Sequence, residues 1–218
     1  MPKKKSLTIL SDIDGVIAHS QINILQVLNK RHEASFAYGD ISSFDFFHSK
    51  AIELGYTDPA DAGAWLFAAE VMALAEPIPQ SQAIVSQLVE LGVVLQLVTS
   101  RPWDQKEITV QWVNQWFPEI TQVHLRSADN SIEGRQYKAQ MLETIRAEVY
   151  LEDDPRVIEL ICKMRSSDQL PNLKAVVLLD RPWNKDCDLP PGFYRAGNWR
   201  DNDYGWDQIF QLVQEQIG

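Results

Sequence analysis

The sequence predicts an α/β protein: a parallel sheet between two helical layers, α/β/α, with a small helical cap inserted after the first strand. Three observations predict it. Short runs rich in leucine or β-branched residues alternate with helix-length amphipathic segments, polar groups gather just beyond several of those runs, and residues 19–79 break the alternation.

The strand candidates are residues 7–11, 93–98, 123–125, 149–151 and 175–179. Their nearly continuous apolar character suits strands covered on both faces, as parallel strands are. Helical patterns fill the intervals at 81–91, 105–117, 138–146 and 155–164, with a last one near 207–216. Residues 1–18 and 80–218 therefore form the core and 19–79 the cap. Within the cap, Ile22, Leu25 and Leu28 recur at helical spacing. A second helix is signalled by Asp58 and Pro59, with Trp65, Leu66, Met72 and Leu74 following, before Glu76-Pro77-Ile78-Pro79 ends it. Gly39, Gly55 and Gly63 suit either cap motion or simple turns.

Composition narrows the function. The chain has 218 residues, 45% hydrophobic and 23% charged, the balance of an ordinary globular protein. A formal charge of −10 disfavours non-specific binding to nucleic-acid backbones, which lysine and arginine drive. The basic cluster Lys3-Lys4-Lys5 reads as a solvated tail. No apolar run reaches the ~20 residues of a membrane span or the core of a secretory signal, so a cytoplasmic location is expected, with no membrane partner. Cys162 and Cys187 lack any paired or metal-ligand spacing and read as free thiols; His19, His32, His48 and His124 likewise show no ligand spacing, and His19, close after the Asp12–Gly15 run, suits the surface better than the border of a site.

In open parallel sheets ligands bind beyond the carboxyl ends of the strands. There the sequence places Asp12-Ile13-Asp14-Gly15 after the first strand, Thr99-Ser100 after the second, Lys138 at the opening of a later helix, and Glu152-Asp153-Asp154 after the fourth strand. Each has a plainer reading: a solvated turn, a helix cap, a surface lysine, an acidic helix start. Together they supply a nucleophile, an acid, a cation and a metal site.

This ordered set resembles the haloacid dehalogenase phosphatases, over roughly residues 7–160. The resemblance implies a Rossmann-like core and phosphoryl transfer. Asp12 would be the nucleophile, forming an aspartyl-phosphate, and Asp14 the general acid and base. Mg2+ would be held by the side chains of Asp12 and Asp153 and the backbone carbonyl of Asp14, with Glu152 or Asp154 as outer partners. Thr99, Ser100, Arg101 and Lys138 would bind the phosphoryl group.

Within that group the chain is most similar to the 5′(3′)-deoxyribonucleotidases and the bacterial nucleotidase-like proteins near them. The similarity rests on the helical insert, Val98-Thr99-Ser100-Arg101-Pro102 and Asp153-Asp154. It departs in having Glu-Asp-Asp-Pro where Asp-Asp-Arg is typical, and in a longer C-terminal region. The resemblance implies a small phosphorylated substrate, a nucleoside monophosphate being preferred, with Phe44, Phe46, Phe47, Trp65 and Phe67 as candidates for stacking on a base or for packing the cap. A polynucleotide 3′-phosphatase and a non-catalytic regulatory protein of the same fold are the alternatives. Arg101 and Arg181, each followed by Pro-Trp, suit either a clamp on a second anionic group or pairing with local carboxylates. Oligomeric state is not expressed in the sequence.

Overall fold

The computed structural model describes residues 6–55, 67–127 and 132–217. Six strands form one sheet in the order β3-β2-β1-β4-β5-β6: β1 (Thr8–Ser11), β2 (Val94–Thr99), β3 (Val123–Leu125), β4 (Val149–Glu152), β5 (Ala175–Leu179) and β6 (Phe193–Ala196). Every neighbouring pair is parallel, so all strand C-termini share one edge; the connections carry α-helices except that from β5 to β6, which makes one 3-10 turn.

Alternation along the strands sorts the core into two layers. Ile9, Leu97, Leu151 and Val177 pack with α4 (Ser81–Glu90), α5 (Lys106–Trp116) and α8 (Trp206–Ile217) on one face. Leu10, Val98, Tyr150 and Val176 pack with α6 (Gly134–Ile145) and α7 (Pro155–Ser166) on the other. Both faces are covered, which is why the central strands read as nearly continuous apolar runs.

Between β1 and α4 lie α1 (Ser20–His32), α2 (Phe46–Glu53) and the short α3 (Ala69–Ala73). They bury a third cluster, including Ile24, Leu28, Ile41, Phe46, Phe47 and Met72, into which Trp183 of the core also packs. No described helix is long and apolar enough to cross a membrane.

Three features differ from the sequence expectation. Strand β6 has no counterpart in it, because an edge strand with only Ala196 fully buried lacks the apolar run that marks the inner strands. Helix α2 was hidden by its mixed Phe-Phe-His-Ser-Lys composition. Helix α6 starts at Gly134, so Lys138 stands in its second turn and does not open it. The predicted helix start at Asp58 and Pro59, with Gly63, Trp65 and Leu66, lies outside the described residues. Met72 falls in α3, whereas Leu74 lies just beyond it and is exposed.

Candidate active site

Strands β1 and β4 are paired with Ser11 opposite Leu151, and the amide of Asp12 donates to the carbonyl of Leu151 at 3.0 Å. This pairing alone places Asp12 beside Glu152 and Asp153, 140 residues away in sequence. From α6, Lys138 reaches across to donate to Asp12 Oδ2 at 2.7 Å and to both oxygens of Glu152 at 3.0 and 3.1 Å. All four side chains are buried.

The three consecutive acids at the end of β4 have different occupations. Glu152 Oε1 accepts the amides of Asp153 and Asp154, and its Oε2 accepts the Tyr150 hydroxyl at 2.7 Å. Asp154 caps α7, accepting the Arg156 amide at 2.9 Å and pairing with its guanidinium. Asp153 Oδ2 is buried and has no hydrogen-bond partner among the described residues.

A buried, unpaired carboxylate oxygen calls for a cation, because desolvation without a partner is costly. Ligand oxygens of Asp12, Glu152 and Asp153 all lie within 4.8 Å of one another. The backbone also makes room: Gly15 has φ +79°, and a Cβ there would lie 2.0 Å from Asp153 Oδ2. An all-oxygen donor set of this kind suits a hard divalent cation. Glu152 has its oxygens already engaged, leaving Asp12 and Asp153 as the acids free to ligate.

The electrostatics follow from this crowding. Burial, then the neighbouring acids Glu152 and Asp14, push the Asp12 carboxyl well above its ordinary range against the pull of Lys138. Asp153 is raised in the same sense by burial, Glu152 and Asp12. Burial would raise Glu152 too, but Lys138 and its hydrogen bonds hold it low. Burial would lower Lys138, yet Asp12 and Glu152 outweigh that and keep it charged.

Asp14 is held differently. Arg101, itself almost wholly buried, grips both of its oxygens, and Ser20 donates to Oδ1. Burial alone would raise the Asp14 carboxyl; the Arg101 guanidinium more than offsets it and keeps Asp14 ionised. Thr109 accepts from the remaining arm of Arg101 at 3.2 Å, and Thr99 is buried with its hydroxyl accepting the Arg101 amide.

Above these groups is a cavity of about 220 Å³. Asp12, Asp14, Ser100, Arg101 and Lys138 line it on the sheet side; Ile24, Phe44, Phe47, Phe67, Met72 and Trp183 form an apolar wall, with Gln21, Ser43 and Gln105 among its polar lining. Of the aromatic candidates, Phe44, Phe47 and Phe67 therefore face the cavity. Phe46 packs edge-on against Phe36 and Phe47 in the helical cluster, and Trp65 lies outside the described residues.

Two expectations are corrected. Arg181 is fully buried and donates to the backbone carbonyls of Gly15 and Asp180 at 2.8 Å, so it neither faces the cavity nor pairs with a carboxylate. His19 is only 8% exposed, enclosed by the rings of Tyr38 and Tyr204, and is not a surface residue. Ser20, Tyr150 and Asn184 were missed: a serine at a helix start and a tyrosine in a strand carry no local sign of a distant partner.

Residues 5–207 match the family model "5′ nucleotidase, deoxy (Pyrimidine), cytosolic type C protein". The chain belongs to this family. It is thus a phosphatase of the haloacid dehalogenase superfamily, with the α/β core of that group. Among solved structures, this nucleotidase-family chain is similar to a predicted phosphatase from Clostridium acetobutylicum, with TM-score 0.63, 14% identity, and coverage of 96% of this chain and 99% of that one. It is also similar to YfnB from Bacillus subtilis in a magnesium-bound form, with TM-score 0.60, 15% identity and coverage of 97% and 100%. The haloacid dehalogenase-like protein SP0104 from Streptococcus pneumoniae gives TM-score 0.58, 14% identity and coverage of 87% and 93%. Identities this low speak to the fold alone. A search of curated protein sequences returned no significant match.

Proposed function

We propose that the protein is a Mg2+-dependent phosphomonoesterase that works through an aspartyl-phosphate on Asp12, with a nucleoside monophosphate as its preferred substrate class. The observation that carries this reading is the buried Asp12, Lys138 and Asp153 cluster at the floor of an apolar, aromatic-walled cavity.

Asp12 attacks phosphorus, the phosphorus–oxygen ester bond breaks, and Asp14 passes a proton to the departing oxygen. Water then adds to the aspartyl-phosphate while Asp14 takes its proton, releasing inorganic phosphate and restoring Asp12. Asp12, Asp153 and the backbone carbonyl of Asp14 would hold Mg2+, which when bound would supply the charge that lets a carboxylate approach a phosphate dianion. Lys138, Thr99, Ser100 and Arg101 balance the charge on the phosphoryl oxygens.

In the resting arrangement Arg101 is engaged by Asp14. An arriving phosphate dianion competes with Asp14 for the same fork of donors. That exchange delivers Arg101 to the substrate and frees Asp14 to pick up the proton it must donate.

Residues 19–79 act as the cap and carry most of the apolar wall. Arg101 and Lys138, on the sheet side, are the basic residues among the described lining, so the cavity suits one phosphate joined to a flat, uncharged body. The net charge of −10 favours a small substrate over a polynucleotide end.

The test is phosphate release from nucleoside monophosphates, sugar phosphates and 3′-phosphorylated oligonucleotides, with Mg2+ or EDTA, for wild type and Asp12→Asn. Release that needs Mg2+, favours nucleotides and vanishes in Asp12→Asn is the expected result. Activity persisting in Asp12→Asn or in EDTA would overturn the mechanism, and sugar phosphates turned over faster than nucleotides would overturn the substrate class.

A further inference from the structure

The segment Arg181-Pro182-Trp183-Asn184 leaves the end of β5, makes a single 3-10 turn, and takes no direct part in the chemistry above. It nevertheless sends one side-chain hydrogen bond to each of the two loops that would bear the cation ligands. Arg181 Nε donates to the carbonyl of Gly15 at 2.8 Å, one residue past Asp14. Asn184 Nδ2 donates to the carbonyl of Asp153 and to that of Leu179, both at 2.8 Å. The two residues are themselves joined, the Arg181 amide donating to Asn184 Oδ1 at 3.1 Å.

We propose that Arg181 and Asn184 are positioning residues for the divalent cation: they buckle the Asp12–Gly15 loop to the Asp153 loop and so fix the spacing between ligands. This inference rests on the cation reading given under Proposed function.

The physical argument is one of accounting for backbone groups. Gly15 sits in a left-handed conformation in a turn where its amide donates to the Ala18 carbonyl at 2.9 Å, and Asp153 lies past the last paired residue of β4, in the two-residue gap before α7. Neither carbonyl belongs to the sheet ladder, so the side chains from the 181–184 turn hold them in place. The turn is anchored in turn by Arg195 of β6, which donates to Asp180 Oδ1, Asn184 Oδ1, and the carbonyls of Asn184 and Cys187. Arg181 and Asn184 are respectively 0% and 2% exposed, so water is a poor substitute for either. Outer-shell partners of metal ligands typically change metal affinity about 10–100-fold when removed.

The test measures Mn2+ binding directly by electron paramagnetic resonance, in parallel with the Mg2+ concentration for half-maximal turnover, on wild type, Arg181→Lys, Asn184→Ala and Val177→Ala. Arg181→Lys keeps a basic group in the same place but removes the planar fork that reaches the Gly15 and Asp180 carbonyls. Asn184→Ala removes two donated and two accepted bonds while Arg195 keeps Asp180 and two backbone carbonyls as partners, and it carries the test alone if Arg181→Lys does not fold. Val177→Ala cuts the core of β5 outside this network and controls for general loosening.

The expected result is a roughly tenfold or greater rise in the Mn2+ dissociation constant for the two network variants, a matching rise in the Mg2+ requirement, and turnover at saturating Mg2+ within a few-fold of wild type. Unchanged Mn2+ affinity in folded Asn184→Ala, or an equal loss in Val177→Ala, would overturn the buckle while leaving the cation site standing. Wild type that binds no divalent cation would overturn both.

Discussion

Arg101 grips Asp14 through two parallel hydrogen bonds, Nε to Oδ2 at 2.9 Å and Nη2 to Oδ1 at 2.6 Å, with both residues largely withdrawn from solvent. A fork of this geometry is stronger and more directional than a lysine contact. If the fork changes partner when phosphate arrives, Arg101→Lys should lower kcat/KM by about 10–100-fold, the worth of a charge-assisted pair, chiefly through a higher KM. Steady-state kinetics on the best nucleotide substrate checks this; an unchanged KM would place Arg101 in orientation of Asp14 only.

Asp12→Asn should abolish turnover yet leave the metal-free protein as stable as wild type, or more so. The carboxyl of Asp12 is raised by burial and by Glu152 and Asp14, so the ionised form is strained where an amide is not. An asparagine still accepts from Lys138. Thermal melting in EDTA is the measurement, and a gain of about 1 kcal/mol would appear as roughly 2–4 °C in a chain of this size.

Gly15→Ala is expected to damage the cation site more than its size suggests. The new Cβ would meet Asp153 Oδ2 at 2.0 Å, and φ +79° is unfavourable for any side chain. Backbone strain of this kind costs about 1–3 kcal/mol, and the only local relief is displacement of Asp153. Mn2+ affinity should fall together with melting temperature.

His19 gives a pH dependence separable from that of the acids. Burial, followed by the nearby charge of Arg181, lowers it from 6.5 to about 4. Between these values the unfolded chain binds a proton that the folded chain refuses, so stability falls as pH drops from 6.5 toward 4. The full effect is at most about 3 kcal/mol. Urea unfolding at pH 7 and pH 4.5 should show a smaller acid loss in His19→Phe than in wild type; equal losses would mean that His19 takes up its proton while folded.

Much of the catalytic edge was legible in the sequence, for a local reason. Strands covered on both faces are apolar along most of their length, so Asp12, Thr99 and Glu152 stand out as polar groups just beyond β1, at the end of β2 and at the end of β4. Helix periodicity likewise gave α1, α4, α5 and α7 without knowledge of their partners. What repeats every two or 3.6 residues is written in the chain itself.

Which groups are left free to act was decided only by the tertiary structure. Three consecutive acids look alike in sequence; the fold uses Asp154 to cap α7, surrounds Glu152 with donors, and leaves Asp153 Oδ2 unpaired. Two Arg-Pro-Trp runs look alike as well, yet Arg101 faces the cavity and Arg181 turns inward to a carbonyl 166 residues away. The partner of a buried polar group is set by strand order and helix placement, and neither is a property of the residues beside it.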